Sequence, residues 1–132
     1  MRLKIVVFGK DKLTERQKEL LRSYLSSVHR DIVELEIEYM LGEIDRARFD
    51  RLYPYGDYTR EDAIHVDYAV FEYDITWAIV ELLKRGITVL GFLTAKSMDG
   101  TGDLFAGKVK TVGLYEYELH YRKKPLVVES AG

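Results

Sequence analysis

Asp74 is the carboxylate best placed for acid–base or nucleophilic chemistry. It stands between the apolar run Tyr68 to Tyr73 and the helix-patterned segment that starts at Ile75. In an open α/β sheet, ligands gather beyond the carboxyl ends of parallel strands, so segments of this kind are where chemistry is expected. Two others qualify. Gly9-Lys10-Asp11-Lys12-Leu13-Thr14 follows an apolar run and offers backbone amides, a helix start and two lysines, which suit a phosphate or carboxylate. Thr94 and Lys96 open a glycine-rich stretch that runs to Gly107 and would lie over the sheet end as a lid. The expected ligand-binding set is therefore Gly9, Lys10, Asp74, Thr94 and Lys96 around one cleft, with Asp74 as the catalytic candidate. Each has a plainer account: a tight turn with solvated lysines for the first loop, and a helix N-cap for Asp74.

Other constellations carry less. The first loop lacks the Gly-x-Gly-x-x-Gly fingerprint. The run Gly102 to Lys108 fits the Gly-x4-Gly-Lys half of a P-loop, but Val109 stands where a magnesium-binding Ser or Thr belongs, and a strand pattern follows where a helix is needed. The chain has no cysteine, so thiolate metal sites, disulfides and cysteine nucleophiles are excluded. His29, His65 and His120 fall in different elements without ligand spacing, and Glu34, Glu36 and Glu38 read as a solvated strand face. The pattern assigns no metal and no cofactor. Tyr53, Tyr55 and Tyr58 could stack on a base or pack in a Pro-Gly loop.

The elements that must position these residues follow from periodicity. Leu3 to Phe8 reads as a buried strand. Thr14 with Gln17 forms a capping-box pattern ahead of Leu20, Leu21, Tyr24, Leu25 and Val28 at helical spacing. Ile32 to Leu41 alternates as a strand. Gly42 to Tyr58 is irregular, with a short helix expected around 43–52 and a loop over 53–58, and Thr59 then caps a helical turn to Ala63. Tyr68 to Tyr73 is a strand. Ile75, Ala78, Ile79, Leu82 and Leu83 mark a helix closed by Gly86, and Ile87 to Leu93 returns as a strand. Val109 to Tyr121 alternates again, and Leu126 to Glu129 is expected as a short edge strand or an arm to another subunit. The sum is one α/β domain of Rossmann-like (flavodoxin-like) type: a mostly parallel sheet flanked by helices, with a C-terminal antiparallel edge strand or hairpin.

Composition narrows the function classes. The 132 residues are 47% hydrophobic and 32% charged, the profile of a folded chain. Its longest apolar run, Ile87 to Ala95, is far short of a bilayer span, and the start lacks a signal-peptide core, so a cytoplasmic protein without membrane contact is expected. Residues 31–81 carry fourteen acidic and four basic side chains, which argues against a nucleic-acid partner.

The strand Asp67-Tyr68-Ala69-Val70-Phe71, the helix after it, and Arg85-Gly86-Ile87-Thr88-Val89-Leu90 resemble the nucleoside 2-deoxyribosyltransferase-like and deoxynucleotide N-glycosidase superfamily. There an Asp-x-Val-Val-x strand leads through a loop and helix to Gly-Lys-Pro-Val and another strand. A first strand ending at Gly9 fits as well. The resemblance implies a catalytic glutamate near the helix start. Counting back from Gly86 reaches Ala78, which leaves Asp74 as the carboxylate that would substitute.

Two readings stand. One is a domain binding a nucleoside, nucleotide or other small anionic ligand at the carboxyl edge of the sheet. The alternative is a noncatalytic oligomerising protein-interaction module, a homo-oligomer joined through the region of Tyr115, Tyr117 and Tyr121. The chain has no asparagine, a single glutamine and abundant Lys, Arg and Glu, a bias of proteins from hot environments. Mesophilic domains cluster at melting temperatures of roughly 45–65 °C. This protein is expected to melt above that band in a calorimetric scan, and an ordinary mesophilic midpoint would refute the thermophilic origin.

Overall fold

The computed structural model describes residues 1–56, 60–97, 108–120 and 125–127. Among them five strands form one sheet in the order β2-β1-β5-β6-β7, built from β1 (Arg2–Gly9), β2 (Glu34–Leu41), β5 (Tyr68–Phe71), β6 (Thr88–Ser97) and β7 (Lys108–Glu116). The first four run parallel, and β7 pairs antiparallel with β6. A second small sheet pairs β3 (Leu52–Pro54) with β4 (Ile64–Val66) in parallel. Helix α1 (Glu15–His29) connects β1 to β2, α2 (Arg46–Phe49) follows β2, and α3 (Thr76–Lys84) connects β5 to β6. This is an α/β architecture with a mostly parallel sheet flanked by helices and an antiparallel C-terminal strand pair.

Side-chain alternation along β1 sorts the core into two layers. Leu3, Ile5 and Val7 meet Leu21 and Leu25 of α1, together with Val70 and Leu90. Val6 and Phe8 meet Phe49, Leu52, Val66 and the α3 residues Ala78, Ile79 and Leu82. Phe8 stacks on Phe71 with centroids 4.5 Å apart and meets Phe49 edge-on at 6.0 Å. A strand buried on both faces must be apolar throughout, which is why Leu3 to Phe8 carries only Lys4 as an interruption.

The helix ends follow their sequence signals. Thr14 and Gln17 form a reciprocal capping box, and the side-chain Nε2 of Gln17 also donates to Thr111 Oγ1, tying α1 to β7. After α3, Gly86 adopts φ +85°; its amide donates to the Leu83 carbonyl and that of Ile87 to the Leu82 carbonyl. Ile87 and Leu82 then share the core, completing a Schellman termination.

Several expectations are corrected. The sixth strand does not end at Leu93: it runs on to Ser97 because β7 folds back along it, with Thr94 opposite Thr111 and Lys96 opposite Val109 across a register shift at Leu93/Thr94. Thr94 and Lys96 are thus strand residues of a hairpin. The lid expected over 98–107, the loop residue Tyr58, the cap at Thr59, and Tyr121 lie outside the described residues. The helix expected over 43–52 contracts to the single turn of α2, capped by Asp45; β3 runs from the end of that segment into the expected loop, and β4 forms over 64–66, where no element was expected. β7 closes at Glu116, and residues 125–127 form no strand.

Arg85 locks the α2 turn in place. Its guanidinium donates to the carbonyls of Phe49 (2.8 Å) and Leu52 (3.3 Å) and lies 5.0 Å from the Phe49 ring centroid and 5.3 Å from that of Tyr53. Arg85→Ala should cost about 2–3 kcal/mol in urea unfolding, from stranded carbonyls plus lost packing. Arg85→Lys should recover less than half of that, since an ammonium supplies neither the fork nor the flat face. Equal stability of Arg85→Lys and the parent would refute this role.

Candidate functional site

The sheet reverses its winding between β1 and β5, since α1 leaves over one face and the connection through α2 and α3 lies on the other. At such a switch point the loops following the two strands diverge and open a crevice. Here that crevice is filled by Glu72. Its backbone amide continues the β5 pairing by donating to Phe8 O (2.9 Å), and its Oε2 accepts from the amides of Lys10 (2.6 Å) and Asp11 (3.4 Å). Gly9 makes the approach possible, for a Cβ at that position would stand 2.2 Å from Glu72 Oε2 and 2.7 Å from its Cβ. The amides expected to receive a ligand anion are therefore engaged by the protein's own carboxylate.

Asp74 lies one residue before the N-cap position of α3. That position is held by Ile75, which makes no side-chain cap, so Asp74 does not cap the helix. The carboxylate instead accepts from the hydroxyl of Tyr117, which is also hydrogen-bonded to the hydroxyl of Tyr115 at 2.9 Å. Because Tyr117 spends its proton on Asp74, Tyr115 is the donor in the second bond, and the chain runs Tyr115 to Tyr117 to Asp74. The ring of Tyr115 lies on Gly91, where a Cβ would come within 2.6 Å of it. Burial, then the bond to Asp74, then Tyr115 raise the Tyr117 phenol well above its ordinary range. Tyr115 and Tyr117, expected as an oligomer face, thus turn their hydroxyls onto the domain's own edge.

Beside this crevice, on the α3 side, the loops after β2 and β5 border an open cleft of about 420 Å³ lined by Gly42, Glu43, Arg46, Tyr73, Ile75 and Trp77. Gly42 joins it to the β1 loop by donating to Gly9 O at 2.9 Å. Trp77 and Tyr73 are each about 40% exposed; the Arg46 guanidinium lies 4.5 Å from the Trp77 centroid, and Phe49 supports the indole edge-on at 5.0 Å. Ile75, at the N-cap position, gives the first-turn amides of α3 no side-chain cap at this edge. The arrangement offers aromatic faces for stacking, a guanidinium and backbone donors.

Of the residues expected from sequence, Gly9, Lys10, Asp74 and Thr94 do not line that cleft. Gly9, Lys10 and Asp74 border it through Glu72 and Tyr73, whereas Thr94 is exposed on the hairpin, and Lys96 is placed only by its pairing with Val109. Arg46, Glu72, Tyr73 and Trp77 were missed. Trp77 carried a usable signal: it is the one large aromatic on the polar side of a clean amphipathic helix. Ala78, counted to the position of a catalytic glutamate, is wholly buried. The histidines stay apart: His29 meets the Tyr68 hydroxyl, His65 the Pro54 carbonyl and His120 the Glu118 carboxylate. Among the described residues no cluster of His, Asp and Glu could hold a metal ion.

A larger cleft, about 540 Å³, opens at the opposite, amino edge between Lys4, Glu36, Tyr55, His65 and Asp67. Its carboxylate Asp67 is already bound to the Lys4 amide at 2.8 Å, and Arg2 beside it pairs with Glu34 at 3.8 Å. Size favours this cleft. The winding reversal and the exposed Arg46–Trp77 pair favour the carboxyl edge, and specific donors weigh more than volume.

No protein-family model, no curated protein and no solved structure matches the chain.

The Tyr117 proton is held more tightly in the folded than in the unfolded chain, where a phenol titrates near pH 10. Its contribution to stability is complete below about pH 10 and is lost as the pH rises above it. In a tyrosinate absorbance titration Tyr117 should ionise after the other tyrosines, and Tyr117→Phe should remove that late phase and flatten the alkaline fall in stability. An unchanged late phase in Tyr117→Phe would contradict the assignment.

Proposed function

We propose that the chain is a small-ligand-binding domain whose site is the cleft at the carboxyl edge of the sheet, taking a nucleoside, nucleotide or other small anionic ligand. The observation that carries this reading is the pairing of Arg46 with the half-exposed Trp77 beside Tyr73 at the winding reversal. A heterocycle stacks on such faces for about 1–3 kcal/mol per base. The cleft also falls in the size range of small-molecule sites, roughly 300–1,000 Å³. The strand order supports a Rossmann-like (flavodoxin-like) reading with the last strand reversed. Within the resemblance to deoxyribosyltransferases, Asp74 is the one carboxylate left at the start of α3 for chemistry on a sugar, and the hydrogen bond from Tyr117 would orient it.

A second reading draws on exposed apolar side chains near β7, with Leu93 52% and Tyr115 37% accessible. These would serve a homo-oligomer, and light scattering of Leu93→Lys against the parent tests it.

Trp77 is the only tryptophan, so its emission reports the site directly. Titration with a panel of nucleosides and nucleotides should give a saturable change in emission together with a raised melting temperature. Trp77→Ala, followed by the melting shift, should weaken binding about tenfold or more. If no member of the panel moved either signal, the reading would fall.

A further inference from the structure

We propose that Glu72 is a specificity-determining residue of this edge: it occupies the oxyanion position of the β1 loop and biases the site toward unphosphorylated ligands, such as a nucleoside, over their phosphates. This rests on the proposed ligand site and adds a choice of ligand class to it.

A phosphate needs backbone donors that converge and a close approach unobstructed by side chains. The β1 loop supplies both, with the amides of Lys10 and Asp11 and the bare α-carbon of Gly9. A carboxylate oxygen rests on these donors, 2.6 Å from the Lys10 nitrogen, and the space a Cβ would fill at Gly9 is taken by the Glu72 side chain. The loop therefore has the geometry of an oxyanion site, and Glu72 is the oxyanion in it. An incoming phosphate would have to displace that carboxylate and then sit beside it.

Charge around the crevice acts in the same direction. The loops at this edge carry Lys10, Lys12 and Arg46 against Asp11, Glu43, Asp45, Glu72 and Asp74. Arg46 is itself within 3.7 Å of Asp50. A neutral heterocycle meets none of this opposition, because stacking on Trp77 needs no compensating charge. Rejection by an already placed like charge is a common way to separate ligands that share most of their contacts.

The test compares adenosine and adenosine monophosphate on the parent and on Glu72→Ala, by melting shift and Trp77 emission. The parent should bind adenosine more tightly, and the ratio of dissociation constants should move about tenfold toward the monophosphate in Glu72→Ala, or about 1.4 kcal/mol. Glu72→Gln keeps an acceptor on the amides without the charge, and should move the ratio the same way by less. A parent that prefers the monophosphate, or a ratio unchanged in Glu72→Ala, overturns the proposal while leaving the ligand site standing. Absence of binding by both probes in all proteins overturns the site itself. Independently of that site, inorganic phosphate should shift the Lys10 and Asp11 amide resonances saturably in Glu72→Ala and not in the parent. Equal shifts in both, or none in the variant, would show that Glu72 guards nothing.

Discussion

Everything in the domain hangs on β1 being paired on both edges and buried on both faces. Its backbone satisfies β2 on one side and β5 on the other, and its side chains divide one hydrophobic core into two. A central parallel strand leaves no surface for water, so the chain can leave it only at its ends. At the carboxyl end this forces Gly9 against Glu72 and sets the β1 and β5 loops apart. The crevice is thus a by-product of pairing a strand with neighbours whose connections lie on opposite faces.

Much of the architecture was legible because its signals are local. The capping box at Thr14 and Gln17, the apolar stripe of α3 and the stop at Gly86 all act within a few residues, and the structure shows each where the pattern put it. What was illegible depends on partners far along the chain. β3 and β4 are three residues each, and β3 ends on Pro54, so neither segment is long enough to announce a strand; their pairing depends on distant partners, among them Arg85, which binds the carbonyls of Phe49 and Leu52. The extension of β6 past Leu93 likewise depends on β7, since Thr94 to Ser97 by itself reads as the beginning of a loop.

The candidate site was legible as a location and not as a set of side chains. Loops after β1 and β5 were expected to matter, and Asp74 and Gly9 do stand there. Glu72, however, directly follows Phe71 and reads in sequence as an ordinary strand-end residue. Its role exists only because Gly9 is its spatial neighbour. Arg46 and Trp77 are separated by thirty residues of intervening chain, so their contact could not be read from spacing. Asp74 presented itself as a cap, and only Tyr117, just past the end of β7, shows what it binds.

The single run from Ile64 to Phe71 serves two sheets in succession. Its even-numbered residues Ile64 and Val66 face the α3-side core, and past the bend at Asp67 the odd-numbered Ala69 and Phe71 do so. Asp67 therefore acts as a phase reset in the pleat, held by exchanged bonds with Lys4: its carboxylate accepts from the Lys4 amide, and its own amide donates to the Lys4 carbonyl. A chain that ran straight through this point would carry the wrong parity into the central sheet, turning Tyr68 and Val70 toward α3 and emptying the layer beneath Phe8. One aspartate at a bend thereby keeps two hydrophobic alphabets, written in opposite frames, readable as one strand after another.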